Sequence, residues 1–183
     1  MVIKFIKMYT RFFKTTLFYL TIMLLFSCKK QHLVISKQVY SGSQMQINGY
    51  YYSVDPLTNE FDHLYFFYKN GVVRNSPVSC TSIAELDNKV TDLINFQDDY
   101  PEHWGLFTID GYNITIETFS EVQSTDFGFG NSGSILNDST FELNLHYSIK
   151  HNKRKNDKVI TPQNSYHFRA FTPKPDSTNK FTN

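Results

Sequence analysis

The chain has 183 residues, 40% hydrophobic and 16% aromatic, with 18 Lys and Arg against 17 Asp and Glu. That is enough material for one domain with a single core, and too little for a second. A formal charge of +1 is not the strongly basic balance expected of a nucleic-acid binder.

The N-terminus carries four cations and no acid (Lys4, Lys7, Arg11, Lys14), followed by thirteen uncharged residues from Thr15 to Ser27. This is the profile of a signal peptide. A membrane-spanning helix needs about 20 apolar residues, and this run is bracketed by Lys14 and by Lys29-Lys30. Leu25-Phe26-Ser27-Cys28 resembles the lipobox of bacterial lipoproteins, with Leu three positions before a Cys and a small residue directly before it; Phe26 departs from that pattern. Ser-Cys followed by Lys-Lys is similar to lipoproteins of the Bacteroidetes. The resemblance implies a signal peptide over 1–27, cleavage before Cys28 and acylation of that residue, with palmitate among the chains. Each buried methylene contributes about 0.8 kcal/mol, so several chains make a lasting anchor. Lys29, Lys30, Gln31 and His32 follow, with no acidic run of the kind that surface-export signals show, so a periplasm-facing place on the outer membrane is expected. Subtracting the leader's 27 residues from 183 leaves 156, with 14 cations against 17 acids, a formal charge of −3.

Residues 28–43 read as a lipidated tether, with Leu33-Val34-Ile35 as a short apolar patch. Gln44 to Ser53 alternates as a first strand, with Met45, Ile47 and Tyr51 on one side and Tyr50 and Tyr52 on the other. Phe61 to Lys69 is a second strand that meets Asn70-Gly71, a strong hairpin signal with positive φ expected at both residues; Val72-Val73-Arg74 returns as the third. The period then changes. Ser82-Ile83-Ala84-Glu85 is a capping box, and apolar residues at 83, 86, 90, 93 and 94 predict a helix from Ile83 to Phe96 with Asp87, Asn88, Lys89 and Asp92 outward. Trp104 to Ile109 and Tyr112 to Phe119 flank Asp110-Gly111, a second tight hairpin. Glu121 to Gly133 reads as a polar, Gly-rich loop and Gly133 to Asn137 as a strand. Phe141 to Ile149 alternates cleanly, with Phe141, Leu143, Leu145, Tyr147 and Ile149 on one face. The basic run Lys150 to Lys155 reads as a solvated loop. Tyr166 to Phe171 is the last strand, and 172–183 is an extended tail.

Eight strands joined mostly by tight turns avoid exposed edges best by closing on themselves. The expected fold is mainly β: an eight-stranded antiparallel up-and-down barrel over 44–171, with one α-helix inserted after the third strand. Gly49-Tyr50-Tyr51 resembles the Gly-x-aromatic opening of lipocalin-type barrels, and Arg169 stands in the last strand, where those barrels place a basic residue near the opening aromatic. Lipocalins carry their main helix after the last strand, unlike this chain. The whole resembles a small Bacteroidetes lipoprotein of lipocalin-like build.

No nucleotide loop, His-Glu-x-x-His, Gly-x-Ser-x-Gly or zinc-spaced Cys pair is present, so neither catalysis, a metal site nor a cofactor is expected. The histidines have no helical pairing, and Asp98, Asp99 and Glu102 beside Pro101 read as a helix-ending turn. With Cys28 acylated, Cys80 is left without an intramolecular partner, as an inert thiol. Aromatic crowding is the unusual feature: Tyr51, Tyr65, Phe67, Trp104, Phe127 and Phe129 are the candidates for lining a barrel interior, with Phe127 and Phe129 gating it. The expected function is a lipid-anchored envelope protein that binds a small apolar or amphipathic ligand inside its barrel. The alternative is a filled barrel that acts as an interaction or inhibitor module for an envelope protein. Replacing Cys28 with Ser should abolish acyl labelling and release the chain from the membrane fraction; unchanged retention without label would refute the anchor.

Overall fold

The computed structural model describes residues 32–95, 100–120 and 128–182; Cys28, Phe96, Asp98, Asp99 and Phe127 lie outside them. Its strands are β1 (Gly49–Val54), β2 (Phe61–Phe67), β3 (Val72–Cys80), β4 (Trp104–Asp110), β5 (Asn113–Phe119), β6 (Gly128–Asn137), β7 (Thr140–Lys150) and β8 (Lys153–Ala170), with helix α1 (Ile83–Asn95) between β3 and β4. Each strand pairs antiparallel with the next, and β8 returns to β1, closing an eight-stranded up-and-down barrel. Closure removes the sheet edges on which the chain would otherwise aggregate. No helix among the described residues is long and apolar enough to cross a membrane.

Strand alternation sorts the side chains into two clusters. Inside the barrel are Tyr51, Tyr65, Phe67, Val73, Phe107, Ile114, Ile116, Phe141, Leu143 and Tyr166. Outside, Tyr50, Leu64, Phe66, Val72 and Trp104 form a second apolar face that meets Leu86 and Val90 of α1. Leu86 and Val90 are fully buried, each contributing about 1.5–3 kcal/mol. At the helix start Glu85 N–H donates to Ser82 Oγ at 3.3 Å, the first half of the capping box, while Glu85 Oε2 reaches one residue further back and accepts from Thr81 N–H at 3.0 Å. Near its end Arg74 Nη1 donates to the Leu93 carbonyl at 3.2 Å and the guanidinium lies 5.3 Å from the Trp104 ring. A cation at the negative end of the helix dipole is favourable there.

Several local expectations change. Residues 44–48 are not strand, although Met45 and Ile47 still pack on the interior cluster. At the β2–β3 turn only Gly71 has positive φ (+83°), and Gln38 passes so close behind it that a Cβ would strike its carbonyl. Strand β6 begins at Gly128, not Gly133, and β8 at Lys153 rather than Tyr166. The basic loop is a two-residue turn with Lys150 facing Lys153, and His151 and Asn152 both hold positive φ, the backbone that type I′ hairpins demand. On β7, Gly133 opposes Leu143 while Ser132 opposes Leu145, so Asn144 is an extra residue. That bulge reverses the faces: Phe141 and Leu143 point inward, whereas Tyr147 lies outside against Gly130, where any Cβ would collide with its ring. The tail docks instead of extending. Lys174 Nζ donates to the Ile47 and Phe67 carbonyls at 2.5 and 2.8 Å, Tyr68 O–H donates to the Pro175 carbonyl, and Phe181 packs on the outer cluster.

Asp87 also departs from its expected outward position. Arg169, directly opposite Tyr50 in the sheet, donates from Nε and Nη2 to the two Asp87 oxygens at 2.8 and 2.6 Å, and Tyr50 O–H donates to Oδ1 at 2.7 Å. This fastens α1 to the β1–β8 seam. The Arg169 hydrogen bonds hold the Asp87 carboxyl below its ordinary range, so its contribution is present above the unfolded pKa of about 3.9 and is lost as pH falls through the lower folded value. Asp87→Asn should therefore cost about 1 kcal/mol at pH 7, with parent and variant converging in acid, as read by urea unfolding across pH.

Candidate binding site at the barrel mouth

The two ends of the barrel differ. At one end the chain before β1 crosses beneath the strands: Tyr40 and Met45 join the interior cluster, Tyr40 N–H donates to the Lys69 carbonyl at 2.8 Å, and Gln46 N–H donates to the Asp138 carbonyl at 2.8 Å. Tyr51 O–H bonds the same Asp138 carbonyl at 3.0 Å. Above this plug, aromatic rings fill the lumen. Phe141 and Tyr166 stack at 4.8 Å and 6°, and Phe67 meets Phe107 edge-on at 4.9 Å. Such pairs contribute about 0.5–1.5 kcal/mol beyond the area they bury. A barrel of eight strands is narrow enough for side chains to fill it in this way.

The other end holds a cleft of about 410 Å³, lined by His63 and Tyr65 of β2, Asn75 of β3, Glu102, Thr118 and Phe119 of β5, Ser120, and Phe129 and Asn131 of β6. Tyr65 forms its floor, with its ring 4.6 Å from His63 and 5.1 Å from Tyr166. Phe129, 37% exposed, is its outermost ring and stacks on His146 at 5.8 Å and 22°. His146 Nδ1 and Asn131 Oδ1 are 2.9 Å apart. Across the cleft Asn75 Nδ2 donates to the Glu102 carbonyl at 2.9 Å.

His63 is the residue on which the chemistry turns. Its side chain is half-buried, but Nδ1 is shielded from solvent and has no hydrogen-bond partner. Burial pulls its pKa down to about 4, with His103 pushing the same way and Asp62 against. The ring is neutral at physiological pH. Burial also raises the Tyr65 phenol well above its usual range, so both of these groups are neutral. The lining offers the rings of Tyr65, Phe119 and Phe129, amide and hydroxyl groups and the side chain of Glu102, with the unpartnered His63 Nδ1 shielded behind them. No group of three or more His, Cys, Asp or Glu with metal-binding geometry occurs among the described residues. Cys80 is buried, and its thiol pKa is raised by that burial.

Of the six residues expected to line a ligand site, the structure brings Tyr65 and Phe129 together here. Tyr51 and Phe67 are 1% exposed and belong to the packed lumen below. Trp104 faces the other way, into the cluster under α1, where the β3–β4 register sets it opposite Arg74. Phe127 lies outside the described residues. His63, Asn75 and Asn131 were missed. Their signal was polar residues at inward-facing positions of aromatic strands, visible once the register is known: His63 shares Tyr65's parity on β2, and Asn131 pairs with Ile116.

The class that the fold and site define is a closed eight-stranded barrel, plugged at one end and open to a small cleft at the other. Comparison of the chain with family models, with curated proteins and with solved structures finds no match.

The His63 ring should titrate near pH 4, against about 6.5 for an exposed histidine. Because the unfolded chain takes up the proton first, His63 should subtract stability as pH falls through the window from about 6.5 to 4. Ring proton shifts measured by NMR against pH check this; a midpoint above 6 contradicts the shielding of Nδ1.

Proposed function

We propose that this chain is a lipid-anchored, periplasm-facing outer-membrane lipoprotein of the Bacteroidetes type, whose lipocalin-like barrel binds a small amphipathic ligand at its mouth and catalyses nothing. The observation that carries the ligand is the cleft of about 410 Å³ at the mouth, with His63, whose shielded Nδ1 has no hydrogen-bond partner, in its wall. Leaving a buried polar atom unbonded costs about 1–3 kcal/mol, which a ligand group recovers where the His63 ring turns to meet it. Small-molecule pockets run from about 300 to 1,000 Å³ and combine apolar walls with a few placed polar groups. Tyr65, Phe119 and Phe129 supply the first; His63, Asn75 and Asn131 supply the second.

The filled lumen narrows the ligand further. A long acyl chain has no channel past Tyr65 and Phe67, so the ligand is compact and partly polar. That same filling favours the alternative reading of an envelope protein-interaction module, in which a partner's side chain takes the cleft.

Mass spectrometry of the purified full chain should detect a co-purified small molecule of a few hundred daltons or less. Phe129→Ala should weaken its retention about tenfold, the equivalent of one aromatic contact. A chain that carries no such molecule, and that takes up no added amphipathic dye, would leave the partner reading standing instead.

A further inference from the structure

The described chain reaches the barrel at a definite place. Val34 and Ile35 N–H donate to Glu117 Oε2 on the outer face of β5 at 2.6 and 2.9 Å. Leu33 lies against Gly128, 3.1 Å from where a Cβ would stand. Gly128 is the first residue of β6 and pairs with Phe119 on one side and Ile149 on the other, and Ile149 pairs with Arg154. That row is the mouth end of the barrel, one residue pair below the β7–β8 turn. The strap therefore arrives beside the base of this hairpin, and the contacts are continuous: Tyr147 O–H donates to Glu117 Oε1 at 2.8 Å, and the Arg154 guanidinium lies 4.1 Å from the centre of the Tyr147 ring.

The hairpin is the most basic stretch of the mature chain. Residues 150–158 hold Lys150, Lys153, Arg154, Lys155 and Lys158 against one acid, Asp157, and all nine are exposed. Asp157 accepts from Arg154 at 2.9 Å, and Glu117 is already bonded to the strap. Between His32 and Cys28 the chain spans at most about 14 Å.

From these two facts, the short tether ending at the mouth and the cationic hairpin beside it, we propose that the β7–β8 hairpin is a second membrane contact. It docks on anionic lipid headgroups and turns the mouth of the barrel toward the bilayer. The proposal rests on the anchored reading above. Its chemistry is that of a juxtamembrane polybasic segment, in which each Lys or Arg held at an anionic surface strengthens attachment by about fivefold. A mouth so oriented takes its ligand from the lipid–water boundary, where amphipathic molecules partition.

The test uses the full chain, purified from its bacterial host and reconstituted on the outside of vesicles of phosphatidylcholine, with or without phosphatidylglycerol. A fluorescent amino acid stands at Asn152, at the hairpin tip, or at Tyr112, in the β4–β5 turn at the plugged end and 70% exposed. The vesicles carry a headgroup-attached quencher. Quenching at Asn152 and none at Tyr112 is expected, confined to vesicles with phosphatidylglycerol and lost in 0.5 M salt or on combining K150Q, K153Q and K155Q. Equal quenching at both positions, or quenching at Asn152 that ignores lipid charge and salt, overturns the proposal. Flotation of the vesicles and the intact mass of the chain report the anchor separately. An acylated chain that floats without quenching at Asn152 refutes the hairpin contact alone, whereas a chain that neither floats nor carries acyl mass refutes the anchor and this proposal with it.

Discussion

Glu117 is 1% exposed, and a carboxylate taken out of water costs several kcal/mol unless donors replace the solvent. Three donors do so: the backbone N–H groups of Val34 and Ile35, and the Tyr147 hydroxyl. The constraint propagates in both directions. On the sheet it requires Tyr147 to face outward, which the Asn144 bulge permits and which the bare backbone at Gly130 accommodates. On the chain it fixes the strap at the mouth end, so that the following residues run down the barrel until Tyr40 and Met45 close the far end. Removing that carboxylate leaves the strap without its clamp and the plug without its lead-in.

The division of the lumen follows from side-chain volume. Around the plug, inward positions hold Tyr51, Phe67, Phe107, Phe141 and Tyr166, all 4% exposed or less; rings of this size fill an eight-stranded barrel. Toward the mouth the same inward rows change to His63, Asn75, Thr118 and Asn131. These are smaller and polar, so the rings no longer meet and a cleft opens. Tyr65 marks the border. The chain thus spends its aromatic residues on rigidity at one end and leaves a polar recess at the other.

The architecture was legible because its signals are local. Asn70-Gly71 and Asp110-Gly111 punctuate strands whose alternation is plain, and Ser82 with Glu85 starts a helix whose 3.6-residue period is unbroken. What escaped depends on contacts distant in sequence. Nothing near Asn144 announces that β7 reverses its faces there, since the irregularity exists only in the pairing with β6 and β8. His151-Asn152 makes a tight turn without glycine, so the basic run that follows read as loop although it is the start of β8. Asp87 looked solvent-facing by helical position, and its partners, Tyr50 and Arg169, are 37 and 82 residues away. The candidate site was half legible for a similar reason. Aromatic residues announce themselves as Tyr65 and Phe129 did, but the parity that turns Trp104 outward and His63 inward is set by the register of the closed sheet.

On the proposed reading, a ligand occupies the mouth and leaves the packed lumen undisturbed. Amide hydrogen exchange on the full chain, compared before and after extraction of any co-purified molecule, addresses this directly. Exchange should rise around His63, Thr118 to Ser120 and Phe129 to Asn131 on extraction, and stay unchanged around Tyr51, Phe107 and Phe141. A rise in that inner layer would mean that the barrel opens to admit the ligand, and would contradict the account.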